Sequence, residues 1–222
     1  MTDQGNTENL SDEAKAVKAA IEYGEDIRAK VRKITLDALH RGKLDAQETR
    51  RVVRSVMQGA SQGVSKAGDK TKHVLGEALA GMDEALAKSA EAYKLAIEEA
   101  AGRLRDFSRH DLEKAVNNLH TLESMLLDTL KEVADQSAGE AREIYQSLAR
   151  HTKVNATSAG ATAAAAITSL EKKLGRTLRE VAVAGSDVAL NTTSKIAEAA
   201  AGFLAGLSDA LHDKAKSLRE KR

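Results

Sequence analysis

The chain has 222 residues, with 34 Lys and Arg against 33 Asp and Glu, and no proline, cysteine or tryptophan. Five aromatic residues and 40 alanines leave few large apolar side chains for a deep core, argue against a sheet protein with proline-bearing turns, and exclude a disulfide scaffold or a cysteine-ligated zinc site. Ala, Glu, Lys, Leu and Arg dominate, which is the composition of long helices.

The opening segment MTDQGNTENLSDE carries four acids and no base. A secretory signal needs a basic start followed by an apolar run, so a cytoplasmic protein is expected, with residues 1–10 a disordered tail. Residues 11–222 are expected to form a single elongated helical domain. Ser11 before Asp12 and Glu13 marks a helix start. Val17, Ala20, Gly24, Ile27, Val31, Ile34 and Ala38 then follow at alternating steps of three and four, one helical face. His40 and Arg41 suit the negative end of a helix dipole and Gly42 suits its termination, so the first helix is predicted over about 11–41. Asp45 with Glu48 forms a capping box that opens a second helix, predicted over about 46–107. Ser108 with Asp111 opens a third, over about 109–153, with the richest apolar stripe of the chain. The poor helix formers of VNATSAG, residues 154–160, predict a turn before a fourth helix over about 161–220. Gly59-xxx-Gly63 and Gly202-xxx-Gly206 have a spacing that implies close helix–helix contact.

The best-specified pattern is an internal period of eleven. Val53, Val64, Leu75, Leu86 and Ile97 fall at steps of eleven. Three residues after each come Val56, Ala67, Ala78, Ser89 and Ala100; seven after come Ala60, Thr71, Met82, Tyr93 and Leu104. Leu174, Ile196, Leu207 and Leu218 belong to a similar series in the fourth helix. Leu119 and Leu130 start the same step in the third, beside Leu122, Val133 and Ile144. Eleven residues make three turns at about 3.67 residues per turn, so such a stripe stays on one side of a nearly straight helix. A helix of 60 residues would be about 90 Å long and needs something to take its stripe. The architecture expected is therefore all-α: an elongated antiparallel bundle of about four helices, two of them very long. Unequal helix lengths would leave stripe overhanging, which predicts self-association, most simply as a dimer.

Some of these residues resemble known families. GVSKAGDKTKHVLGEALAG, residues 63–81, resembles the synuclein-type eleven-residue lipid-binding repeat. The chain as a whole, and AGATAAAAITSLEKKLGRTL in particular, is similar in texture to the bacterial phasins, which coat polyester storage granules, and to apolipoproteins and late-embryogenesis-abundant proteins. The resemblance implies a class of surface-active helical proteins.

Residues that could carry chemistry are sparse. Asp37-x-x-His40 and Asp209-x-x-His212 approximate the Glu-x-x-His of di-iron bundles, but Ala38 and Leu211 hold the inward positions. Asp69, His73 and Glu77 share one polar face, where pairing between solvated side chains accounts for them. No phosphate-loop or dinucleotide spacing occurs. No metal, no cofactor and no catalytic activity are expected. The 17 charge-free residues Val154–Leu170 are too short and too small-sided for a transmembrane span. Residues 1–26 carry a net charge of −5, residues 28–54 carry +6 and residues 214–222 carry +4. The acidic start could lie along the basic segment, and without interleaved aromatics nucleic acid is not an expected partner. Three functions fit: a surface-active or scaffolding protein that lays its stripe on lipid or a storage granule; a structural or regulatory coiled-coil module; and a soluble stress protectant.

Overall fold

The structure, a computed structural model, describes residues 10–41, 46–102, 109–137, 139–155, 157–174 and 199–205. Every regular element among them is helical: α1 (Asp12–Glu22), α2 (Ile27–Arg41), α3 (Ala46–Gly63), α4 (Thr71–Gly102), α5 (Arg109–Gln136), α6 (Gly139–Asn155), α7 (Ser158–Leu174) and further helical residues at 199–205.

The helix predicted over 11–41 is two helices. Ser11 accepts a hydrogen bond from the Ala14 N–H at 3.3 Å and caps α1 as its sequence implies. The chain then leaves the helix at Tyr23, because Gly24 (φ 73°) and Asp26 (φ 49°) both take left-handed conformations. The α2 helix ends with His40 and Arg41 turned back on its own carbonyls, His40 Nδ1 lying 3.2 Å from Leu36 O and Arg41 Nε donating to Asp37 O at 2.8 Å.

The helix predicted over 46–107 is also interrupted. After Gly63 come two single 3₁₀ turns, Val64–Lys66 and Gly68–Lys70, before α4. Gly63, Ala67 and Thr71 keep right-handed dihedrals, and Gly68 alone (φ 53°) is left-handed there. That one residue suffices to turn the chain. Val56, Met57 and Ala60 of α3 line the same small cavity as Leu75, Leu79 and Met82 of α4. In one straight helix Met57 and Met82 would be about 37 Å apart. The helix predicted over 109–153 breaks at Ser137, whose N–H bonds to Val133 O, and restarts at Gly139 (φ 57°). The last predicted helix starts at Ser158 rather than 161 and is described to Leu174. Residues 175–198 and 206–222, with the predicted tail apart from Leu10, lie outside the described residues.

The very long helix predicted over 46–107 is therefore replaced by shorter ones, of which α4 at 32 residues is the longest described, while most of the one predicted over 161–220 lies outside the described residues. Not all neighbours are antiparallel. A Cβ on Gly59 would lie 2.3 Å from Ala14 O, and one on Gly63 would lie 2.9 Å from Ile21 Cβ and 3.1 Å from Lys18 O. The numbers rise together, so α1 and α3 run in the same direction. So do α3 and α5, where Arg54 meets Glu132 at 2.7 Å and Ser61 meets Ser137 at 3.2 Å.

The helices share one core cluster, to which each of α1 to α7 and the 199–205 segment contributes. Alanine supplies 17 of the 45 buried apolar residues described, so helix backbones approach closely and each contact removes little apolar area from water. Gly81 shows the same economy of space, since a Cβ there would lie 2.2 Å from Arg28 O.

Candidate functional site

The predicted stripe is the natural place to look for function, and its residues turn inward. Val53, Val64, Leu75, Leu86 and Ile97 are each 0–5% exposed. Their companions Val56, Ala60, Thr71, Ala78, Met82, Ser89, Tyr93 and Ala100 are buried as well, and Ala67 is packed against the same core. Leu174 is the last residue of α7, while Ile196, Leu207 and Leu218 lie outside the described residues. Tyr23 (81% exposed) and Leu95 (39%) are the exposed large apolar side chains described. The overhanging stripe expected from unequal helix lengths is thus not found along Val53 to Ile97.

Polar residues on the inward faces are satisfied locally. Ser89 Oγ donates to Ala85 O at 2.9 Å, Thr35 Oγ1 to Val31 O at 2.8 Å and Thr129 Oγ1 to Met125 O at 2.8 Å. Each returns its hydroxyl to its own helix.

The cavity between α3, α4 and Tyr145 measures about 10 Å³. That is room for about one water, far below the roughly 300 Å³ of a small-ligand site. Tyr145 closes its wall and donates its hydroxyl to Met57 O at 3.0 Å. Burial pushes the Tyr145 phenol well above its ordinary range, against a smaller opposing effect of Ser61. The folded chain therefore holds this proton more tightly than the unfolded chain does. As pH rises through about 10 the unfolded state loses the proton first, and stability falls by up to about 1.4 kcal/mol per pH unit. Tyr145→Phe is expected to cost about 1 kcal/mol at neutral pH and to flatten this alkaline loss, as measured by urea unfolding from pH 8 to 11.

The basic segment 28–54 is met by acids from other helices. Arg28 and Arg32 of α2 both bond Glu84 of α4, the latter at 2.9 Å. Arg51 bonds Glu48 at 2.7 Å and reaches Glu13 of α1 at 3.4 Å. Burial opposes ionisation of Glu13, but hydrogen bonds from Arg51, its own backbone and Ser11 outweigh it and hold the carboxyl below its ordinary value. Arg54 bonds Glu132 of α5. These pairs are half-exposed and each contributes little to stability. Glu84, Glu13 and Glu132 reduce, without cancelling, the net charge of +6 on this segment.

Of the pairs that hinted at metal chemistry, Asp37 and His40 are engaged within their own helix, while Asp209 and His212 lie outside the described residues. Asp37 accepts from Lys33 Nζ at 2.7 Å, and His40 Nδ1 donates to Leu36 O. His73 and Asp69 are exposed. Among the described residues no three His, Asp or Glu side chains converge on a metal position, and no helix is long and apolar enough to cross a membrane. One positioning residue carries no local signal in the sequence. Asp83 of α4 accepts the N–H groups of Ser158 (2.8 Å) and Ala159 (3.0 Å), which caps α7 from another helix.

The fold and the stripe define an all-helical protein whose amphipathic faces are closed on one another around a small-residue core. The chain belongs to a family of unknown function, DUF6781, whose model matches residues 2–213. No curated protein and no solved structure matches it.

Proposed function

We propose that the protein is a non-catalytic, surface-active helical scaffold of the cytoplasm, which keeps its amphipathic helices closed in free solution and lays them on an apolar surface, lipid or a storage granule. The observation that carries this reading is the eleven-residue series from Val53 to Ile97, buried in a core of which alanine supplies 17 of the 45 apolar residues described. Alanine gives up little apolar area per contact, so a continuous apolar surface can replace those contacts at small cost. A period near 3.67 keeps the stripe on one side of a straight rod, which suits a flat surface. Flotation with anionic vesicles and with polyester granules tests the reading, together with amide hydrogen exchange. The chain is expected to float and to lose protection at its helix–helix contacts while staying helical. Retention in the bottom fraction at a large excess of both surfaces would overturn it.

A second reading is favoured by the inward orientation of the same residues. A bundle that covers its own stripe needs no surface, and can act as a structural or regulatory module that binds itself or another helical protein. This reading expects unchanged exchange protection with vesicles, and a dimer in sedimentation or a specific helical partner in pull-down.

A further inference from the structure

The stripe keeps its phase through three of the turns that interrupt it. Across the 3₁₀ turns the inward positions run Val56, Ala60, Val64, Ala67, Thr71 and Leu75, in steps of four, four, three, four and four. Across Ser137 the core positions run Leu130, Val133, Ile144 and Leu148, with the half-buried Ser137 and Ala141 between them, in steps of three, four, four, three and four. Across Gly24, which itself faces solvent, the buried positions Val17, Ala20, Ile27 and Val31 keep one face, with seven residues from Ala20 to Ile27. A folded-back pair of helices does not require this. After a turn the second helix can present any side inward, and a stripe about 100° wide covers little more than a quarter of the circle. Three independent coincidences of phase have odds of about one in fifty on that basis. A single continuous helix, in contrast, requires all three.

We infer that the turn Val64–Lys70 is a hinge, and that residues 46–102 have a second state in which α3 and α4 form one uninterrupted helix with the stripe along a single side. The change is small at the backbone. Gly63, Ala67 and Thr71 already have right-handed dihedrals, and Gly68 must cross from φ 53° to the helical region. Its consequence is large, because Met57 and Met82 part from a shared cavity to about 37 Å. Opening uncovers the inward faces of both helices, so the extended state needs an occupant. For that occupant the inference rests on the surface-binding reading: an anionic lipid surface, flat enough to take one long stripe, with Lys70 and Lys72 already solvent-exposed beside the hinge.

The test uses the full chain, whose lack of cysteine allows two thiols to be introduced for spin labels by Arg50→Cys and Leu95→Cys, both at exposed positions. A continuous helix places these sites about 68 Å apart, and the folded-back pair places them much closer. In buffer the short distance is expected. With vesicles of phosphatidylglycerol and phosphatidylcholine the distribution is expected to move to about 68 Å. Gly68→Ala penalises the left-handed turn and favours helix, so it is expected to raise the long-distance population without vesicles. Gly68→Asn, which tolerates the left-handed region, is expected to keep the short distance in buffer. A chain that floats with vesicles yet keeps the short distance, in the parent and in Gly68→Ala, overturns the hinge and leaves surface binding standing. A chain that does not float but reaches the long distance in Gly68→Ala supports the hinge and removes lipid as its occupant; a doubled mass then assigns a second copy. Short distances throughout and no flotation overturn both. If Gly68→Ala does not fold, the parent chain with vesicles decides the hinge.

Discussion

Gly59→Ala is expected to destabilise the protein by about 2–3 kcal/mol, and Gly76→Ala to stabilise it by about 0.5–1 kcal/mol. Both glycines lie inside helices, where alanine has the better intrinsic propensity. They differ in what a methyl group would meet. At Gly59 it would lie 2.3 Å from Ala14 O, 2.8 Å from Ala14 Cα and 2.9 Å from Ala14 C, all backbone atoms that cannot rotate away. The α1 helix would have to move off α3, with its Glu13–Arg51 contact. At Gly76 nothing lies within 4 Å, so the propensity gain is uncompensated. Thermal unfolding is the measurement, with about 2–4 °C expected per kcal/mol at this chain length. Equal and favourable shifts for both variants would show that α1 does not dock on α3 through these glycines.

This pair also shows what periodicity can and cannot read. Gly59-xxx-Gly63 announces a close helix contact by its spacing, and the contact is there, with α1. Which helix makes it is not in the spacing. Ser11, Asp12 and Glu13 gave the start of α1 because capping is local chemistry. The breaks at Gly24, Gly68 and Gly139 escaped for a physical reason. Periodicity detects a turn through a slip of phase, and these turns cause none. Glycine was the remaining signal at those sites, and glycines that turn the chain look like those that admit a neighbouring helix. Gly59, Gly63 and Gly81 serve close approach, while Gly24, Gly68 and Gly139 supply left-handed dihedrals. Along the stripe, the inward residues Val53 to Ile97 were legible, but their partners were not. Nor were the pairs of Glu84 with Arg28 and Arg32 or of Glu132 with Arg54, because charge totals say nothing of which acid meets which base.

Leu86→Ala is expected to cost about 3 kcal/mol, within a range of roughly 2–5, whereas Leu95→Ala is expected to change stability by less than about 0.5 kcal/mol. The two leucines lie on one helix, nine positions apart. Leu86 is fully buried and belongs to the core cluster, so its removal loses apolar burial and leaves a void between helices. Leu95 faces outward, off the stripe. Urea unfolding at constant m-value distinguishes them. A small cost at Leu86 would mean that the core collapses around the loss, as a loosely packed alanine-rich bundle could, and would weaken the case that the closed form is well ordered.

The cap on α7 has a consequence in time. Thr157 closes the amide of Gly160 at 2.7 Å from within its own segment, but the acceptor for Ser158 and Ala159 stands 75 and 76 residues upstream. Helix nucleation is the slow, unfavourable step, and here part of the nucleus belongs to a different helix. A chain made from its N-terminus has residues 71–102 in place before 158 emerges, so α7 starts on a ready-made acceptor. A circular permutant that placed residues 158–174 ahead of α4 would begin that helix with half of its starting signal not yet synthesised.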